Sequence, residues 1–409
     1  MTSPLPWIIS IDDHVVEPPD VWTTRLPARH RDVGPRVVRD TYETVNDPVK
    51  QVTRYVKGGE GPVTDWWVYE DLLRPIPQVM ACAGFPPESL TLDPIAFDEM
   101  RRGCWDPAAR LADMDVNRTE RSLCFPTFPR FAGQQFLEAK DKVLALLCVQ
   151  AYNDWMIDEW CGPTGGRLIP LCLVPLWDPV AAAAEVRRNA ARGCRAVCFT
   201  ELPANLGLPT IHDPDRWWDP FLQACDETGT VIFMHIGSGS VMPSTGPDAP
   251  AGVKIALTFV NAELSLVDWL LSGVLFRFPN LKIAYAESQV GWMPFVFERV
   301  DKLFVKSAAW AELDPVITDL PSSVVPGRVF GCFFDDDAGI AARDAIGVGQ
   351  LVFETDYPHQ DTTWPDTAAV LERMRTLVGD DDDFLRIVRT NAVDMLGLDP
   401  RPLVPGALG

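Results

Sequence analysis

The chain has 409 residues, 47% of them hydrophobic and 23% charged, so a large packed core is within reach and global disorder is excluded. Its formal net charge of -21 excludes the basic surface that phosphate neutralisation requires, and with it nucleic-acid binding and docking on anionic membranes. The amino terminus lacks a basic stretch followed by an apolar core, and no run approaches the apolar length of a membrane span, so a cytoplasmic protein is expected. The ten cysteines are scattered without a CxxC pair, which fits buried reduced thiols.

In chain order, apolar β-type runs occupy 7–13, 121–126, 167–174, 196–200, 231–235, 282–287, 329–334 and 351–356. Amphipathic stretches with helical spacing lie between them at 140–160, 179–192, 217–228, 260–277, 292–305 and 338–346. Two more, at 367–377 and 384–396, follow the last run. Strand–helix alternation implies a parallel sheet with crossover helices. Eight such units predict an α/β fold, a closed (β/α)8 or TIM barrel filling 1–409.

Residues 23–114 break the alternation. They are rich in Pro, Trp and charge and show little periodicity, so they read as an insertion after the first strand, partly covering the barrel mouth. Loops of this length serve as lids or oligomer contacts, and a homo- or hetero-oligomer is expected. A second long loop, 237–251, is dense in Gly, Ser and Pro. His212-Asp213-Pro214 reads as a capped helix start. The acidic run Asp380–Asp383 reads as another, since carboxylates suit a helix N-terminus.

Three segments carry the chemistry. Asp12-Asp13-His14-Val15-Val16-Glu17 follows Trp7-Ile8-Ile9, His235 follows Val231-Ile232-Phe233, and Glu354-Thr355-Asp356-Tyr357-Pro358-His359 follows Leu351-Val352-Phe353. Only five histidines occur in the chain, and three of them fall here. Side chains alternate along a strand, so Asp12 and His14 share a face while Asp13 opposes them. In a barrel this places Asp12, His14, His235 and Asp356 at one rim, where barrel enzymes keep their active sites. Imidazole with carboxylate suits a divalent metal: zinc first, with iron or manganese as alternatives. Glu17, Glu201, Glu287 and His359 enlarge the set enough for one ion or two. His359 reads equally as a ligand, a donor to a carboxylate or a loop residue.

These strand ends resemble the amidohydrolase superfamily, in its amidohydrolase-related branch with aminocarboxymuconate semialdehyde decarboxylase and the resorcylate decarboxylases. Asp12-x-His14 is similar to the branch's Glu-x-His pair, His235 to its fifth-strand His and Asp356 to its eighth-strand Asp. The stretch from Phe278 through Glu287 and Gly291 to Pro294 resembles its sixth-strand region. Two positions depart from the pattern: Glu287 stands where the family usually has His, and no Lys lies near Glu201, where binuclear members carry one.

The resemblance implies a metal-dependent enzyme that hydrolyses or non-oxidatively decarboxylates a small organic substrate. Asp12, His14, His235 and Asp356 would hold the metal, with Asp356, Glu287 and His359 as catalytic groups and Glu17, Glu201 and Glu287 as further candidate ligands. One alternative is a dinuclear iron or manganese oxygenase component hydroxylating an unactivated carbon with an electron-donor partner. Another is a catalytically silent scaffold subunit of a hetero-oligomer.

Overall fold

The computed structural model describes residues 4–47 and 52–404; residues 1–3, 48–51 and 405–409 lie outside the described residues. Eight parallel strands form the barrel: β1 (Ile8–Val15), β2 (Thr119–Pro126), β3 (Leu168–Ile169 and Leu171–Cys172), β4 (Ala196–Phe199), β5 (Val231–His235), β6 (Ile283–Ala286), β7 (Val329–Phe333) and β8 (Leu351–Phe353). Pro170 divides β3, because it has no N–H for a ladder; the first piece pairs with β2 and the second with β4. The chain leaving β8 lies against β1. Asp356 N–H donates to the Asp12 carbonyl at 2.9 Å, and His14 N–H donates to that of Tyr357 at 2.6 Å.

The strands are mostly apolar and buried along their whole length, as strands covered on both faces must be. Helices at Lys142–Trp155, Pro179–Ala190, Asp219–Thr228, Val260–Leu271, Met293–Ser307 and Thr367–Val378 pack outside. Asp380 caps the helix Asp381–Leu385 by accepting from the N–H groups of Asp382 and Asp383, as the acidic run predicts. The expected helix start at His212-Asp213 is corrected. The helix begins at Asp219, and His212 sits in an exposed turn, 3.2 Å from Asp268.

The segment between β1 and β2 is not irregular. It holds an antiparallel sheet of Arg36–Asp47, Val52–Lys57, Val63–Tyr69, Leu72–Pro77 and Pro94–Ile95, then the helix Pro107–Val116. Thr64 to Trp67 are all buried, so both faces of that strand are covered and no alternation marks it in sequence. All ten cysteines are free and buried. No helix among the described residues is long and apolar enough to cross a membrane.

Candidate metal centre

The register of β1 against β2 slips between Ser10 and Asp13, so three steps on β1 match two on β2. Such a bulge re-aims side chains at a strand end. Asp12 and His14 turn into the barrel mouth and meet His235, the last residue of β5. His235 Nε2 lies 3.3 Å from Asp12 Oδ2, 3.3 Å from His14 Nε2 and 3.3 Å from Glu287 Oε2. Its Nδ1–H donates to the Ile236 carbonyl at 2.6 Å, which leaves a lone pair on the Nε2 that faces the cluster. His14 Nε2 lies 3.4 Å from Asp12 Oδ1 and 3.1 Å from Asp356 Oδ1.

Glu287 follows β6 and Asp356 follows β8. Both adopt left-handed backbone, with φ of 54° and 51°. That conformation costs a non-glycine residue roughly 1–3 kcal/mol and clusters at functional sites. It also explains why neither side chain continues its strand's alternation. His359 Nδ1 lies 3.4 Å from Asp356 Oδ1, and its ring stacks on His14 with centroids 3.4 Å apart. Asp361 joins Glu287 and Asp356 in a third cluster of ligand atoms.

Two sequence candidates stand apart from these groups. Glu17 is buried, but its two oxygens accept the N–H groups of Thr127 and Phe128 at 3.0 and 2.8 Å. It holds the loop after β2. Glu201 is buried and neither of its carboxylate oxygens accepts a hydrogen bond, but among the described residues it shares no cluster of ligand atoms with the rim groups, and burial pushes its carboxyl up to about 8. Sequence reasoning did not single out Phe131. Its ring stacks on His235 at 4.0 Å, but an aromatic in a Pro-rich loop carries no signal. Glu354, two residues before Asp356, is fully buried, and its Oε2 accepts the Glu287 N–H at 3.1 Å.

Burial and mutual repulsion dominate the electrostatics. Burial, then the charges of Glu354, Asp356 and Glu287, push Asp12 well above the usual carboxylate range. Burial, then Asp356 and Asp361, do the same to Glu287. Burial raises Asp356 as well, yet the imidazoles of His359 and His14 outweigh it and hold its carboxyl below the ordinary value. Burial lowers His235 to about 4 and His14 well below its ordinary value, so both rings are neutral donors at pH 7.

Both carboxylate oxygens of Asp12 and of Asp356 are buried and accept no hydrogen bond. Buried carboxylates left so are costly unless a cation offsets them. With two neutral imidazoles beside them, the donor set fits a divalent ion.

Two of the cavities beside the centre have largely apolar walls. One of about 370 Å³ is lined by Ile236, Phe259, Phe334, Gln289, Gln360, Glu287 and Asp361 and reaches the candidate ligands directly. The other, about 220 Å³, lies behind Phe131. Trp67, Ile76, Met80 and Phe128 wall it, with Arg74 and Arg130 as its only charged groups.

Comparison with known proteins agrees with this architecture. The 2-amino-3-carboxymuconate-6-semialdehyde decarboxylase of Dictyostelium discoideum is 23% identical over 329 residues, 76% of this chain and 82% of that protein. A solved amidohydrolase from Mycobacterium avium subsp. paratuberculosis superposes with a TM-score of 0.68 at 21% identity, covering 98% of this chain and 100% of that one. The 5-carboxyvanillate decarboxylase of Novosphingobium aromaticivorans, solved with manganese and 4-hydroxy-3-methoxy-5-nitrobenzoic acid, gives 0.58 at 19% identity, covering 73% and 82%. The amidohydrolase family model matches residues 21–398, the insertion and the seven barrel strands after β1, and the chain therefore belongs to the amidohydrolase family.

Proposed function

We propose that this enzyme removes a carboxyl group, without an oxidant, from a small aromatic or conjugated acid, using a divalent cation held by Asp12, His14, His235 and Asp356. The observation that carries the reading is the buried donor set itself, two neutral imidazoles and two carboxylates whose oxygens accept no hydrogen bond. The decarboxylase relatives support the reaction class. Manganese in two of the solved decarboxylases makes it the ion to test before the zinc expected from sequence. A cation bound there supplies Lewis acidity toward a substrate oxygen.

The protein's own groups do the rest. Ile236, Phe259 and Phe334 give the open cavity an apolar floor for a planar body, and the Gln289 and Gln360 amides offer polar contacts at its edge. The bond from the ring or chain carbon to its carboxylate breaks, carbon dioxide leaves, and the carbon takes a proton. His359 is placed to give that proton: its Nε2 is buried without a hydrogen-bond partner, and its Nδ1 faces Asp356. The ionised Asp356 carboxylate holds the imidazolium in place until transfer.

The test is a panel of carboxylated phenols and conjugated acids, among them 2,6-dihydroxybenzoate and 5-carboxyvanillate, offered to manganese-loaded protein. Release of carbon dioxide and the matching arene or alkene is expected, and His235→Ala should lose bound metal and product together. Turnover of esters, lactones or amides with the carboxylates left intact would replace this reading by hydrolysis.

A further inference from the structure

We propose that the cavity behind Phe131 is a binding site of its own, for a monoanion with a flat apolar body such as an aryl carboxylate or sulfonate, whose charged end is held by Arg74 and Arg130. The site uses no cation at the barrel rim, so it stands or falls apart from the reaction proposed above.

The insertion sheet builds one wall. Trp67 and Arg74 lie directly opposite each other on the antiparallel strands Val63–Tyr69 and Leu72–Pro77, and opposed residues project from the same face of a sheet. Ile76, two residues on from Arg74, shares that face. All three line the cavity of about 220 Å³, with Phe128 and Phe131 across from them. Trp67 and Phe128 are 2% and 3% exposed, with ring centroids 4.6 Å apart. Aromatic walls of this kind suit a planar apolar ligand. The buried Trp67 indole N–H has no hydrogen-bond partner, so the wall also carries an unused donor.

The charges select the ligand. The chain has a net charge of -21, yet the only charged groups on this cavity are two guanidiniums. Arg130 is engaged: it donates to Glu138 Oε1 at 2.7 Å and to the Ser240 hydroxyl. Its backbone is left-handed, with φ of 64°, a strain that gathers at ligand clamps. Arg74 makes no hydrogen bond or ion pair among the described residues. Glu138 thus offsets one of the two positive charges, and a single negative charge on the ligand would match the other. A guanidinium fork fits a carboxylate or sulfonate through paired N–H groups. Arg74 is exposed, so the charged end would sit at the opening and keep part of its hydration while the apolar body is buried.

The test is calorimetric titration of the full-length, manganese-loaded protein with benzenesulfonate, a poor metal ligand that still accepts from guanidinium. One molecule per chain is expected. Arg74→Gln should raise Kd by about tenfold or more, and Arg74→Glu should abolish binding. Arg74 has no partner to strand, so both variants should keep the parent's Tm and manganese content. No binding in the parent overturns the site, and so does equal affinity in the parent and both variants, which places the anion elsewhere. Benzyl alcohol bound as tightly as the sulfonate overturns it too, since charge would then play no part. Benzenesulfonate has no carboxyl group to lose, so failure of the decarboxylation panel leaves this result untouched. Where an acid of the panel is turned over, kinetics separate two sources of the anion. Competitive inhibition by benzenesulfonate, with a raised KM in Arg74→Gln, assigns the cavity to the far end of the substrate. An effect that substrate does not overcome, and that Arg74→Gln removes, assigns it to a separate acid.

Discussion

Thr355 Oγ1 donates to Asp13 Oδ1 at 2.6 Å and so ties the end of the last barrel strand to the first. Asp13 also accepts from Ser10 Oγ at 3.0 Å, from the Tyr357 N–H at 3.1 Å and from Ser122 Oγ on β2. One buried carboxylate thus joins β1, β2 and the chain after β8 just beneath the candidate ligands. The buried Arg110 guanidinium works against the burial that raises its pKa.

Asp13→Ala strands all four donors and removes a negative charge that offsets Arg110. Removing one partner from a buried charged network costs about 3–5 kcal/mol. Thermal unfolding should show a clear drop in Tm for Asp13→Ala and a smaller one for Asp13→Asn, whose carbonyl still accepts. An unchanged Tm in Asp13→Ala would mean that barrel closure does not depend on this hub.

Asp12, His14, His235 and Asp356 were legible in the sequence because each ends an apolar β-type run and the chain is poor in histidine. The eight strands were legible for the same reason. Glu17 and Glu201 read in the sequence as further candidate ligands. What separates them is local geometry: amides after β2 hold Glu17, and Glu201 shares no cluster of ligand atoms with the rim groups. A sequence does not reveal which N–H groups a loop will turn toward a carboxylate. The antiparallel sheet of the insertion was hidden because its Trp66–Trp67 strand is buried on both faces. The turn that brings Asp361 beside Glu287 and Asp356 leaves no pattern in the sequence.

Glu201 gives a pH dependence. Burial raises its carboxyl from the ordinary 4.5 to about 8, so the folded state prefers the protonated form. Its contribution to stability is fully present below about pH 4.5 and is lost as pH rises through about 8. Glu201→Gln does not titrate. Whatever constant cost the amide carries, the difference in stability should therefore move in the variant's favour between pH 5 and pH 8. Melting curves of both proteins at the two pH values, with metal content matched, measure this. A difference that stays constant with pH would show that Glu201 is ionised throughout.

Asp356 and His359 should behave as one unit. The imidazole Nδ1 sits 3.4 Å from the carboxylate, and the His14 ring stacked on its face fixes its plane. Asp356→Asn keeps the shape but removes the charge that holds the imidazolium, and His359→Gln removes the proton carrier. Each should lower kcat by about 100-fold or more; His359→Gln should keep the metal bound, and Asp356→Asn, whose carbonyl oxygen still ligates weakly, should lose less metal than activity. Groups that act in one step are not additive. The double variant should therefore be no slower than the slower single variant, within a few-fold. Losses that multiply, to about 10,000-fold in the double variant, would separate the two residues. Asp356 would then act on the substrate or the metal alone, and the proton would have to come from another group, with Glu287 the nearest alternative on the cavity wall.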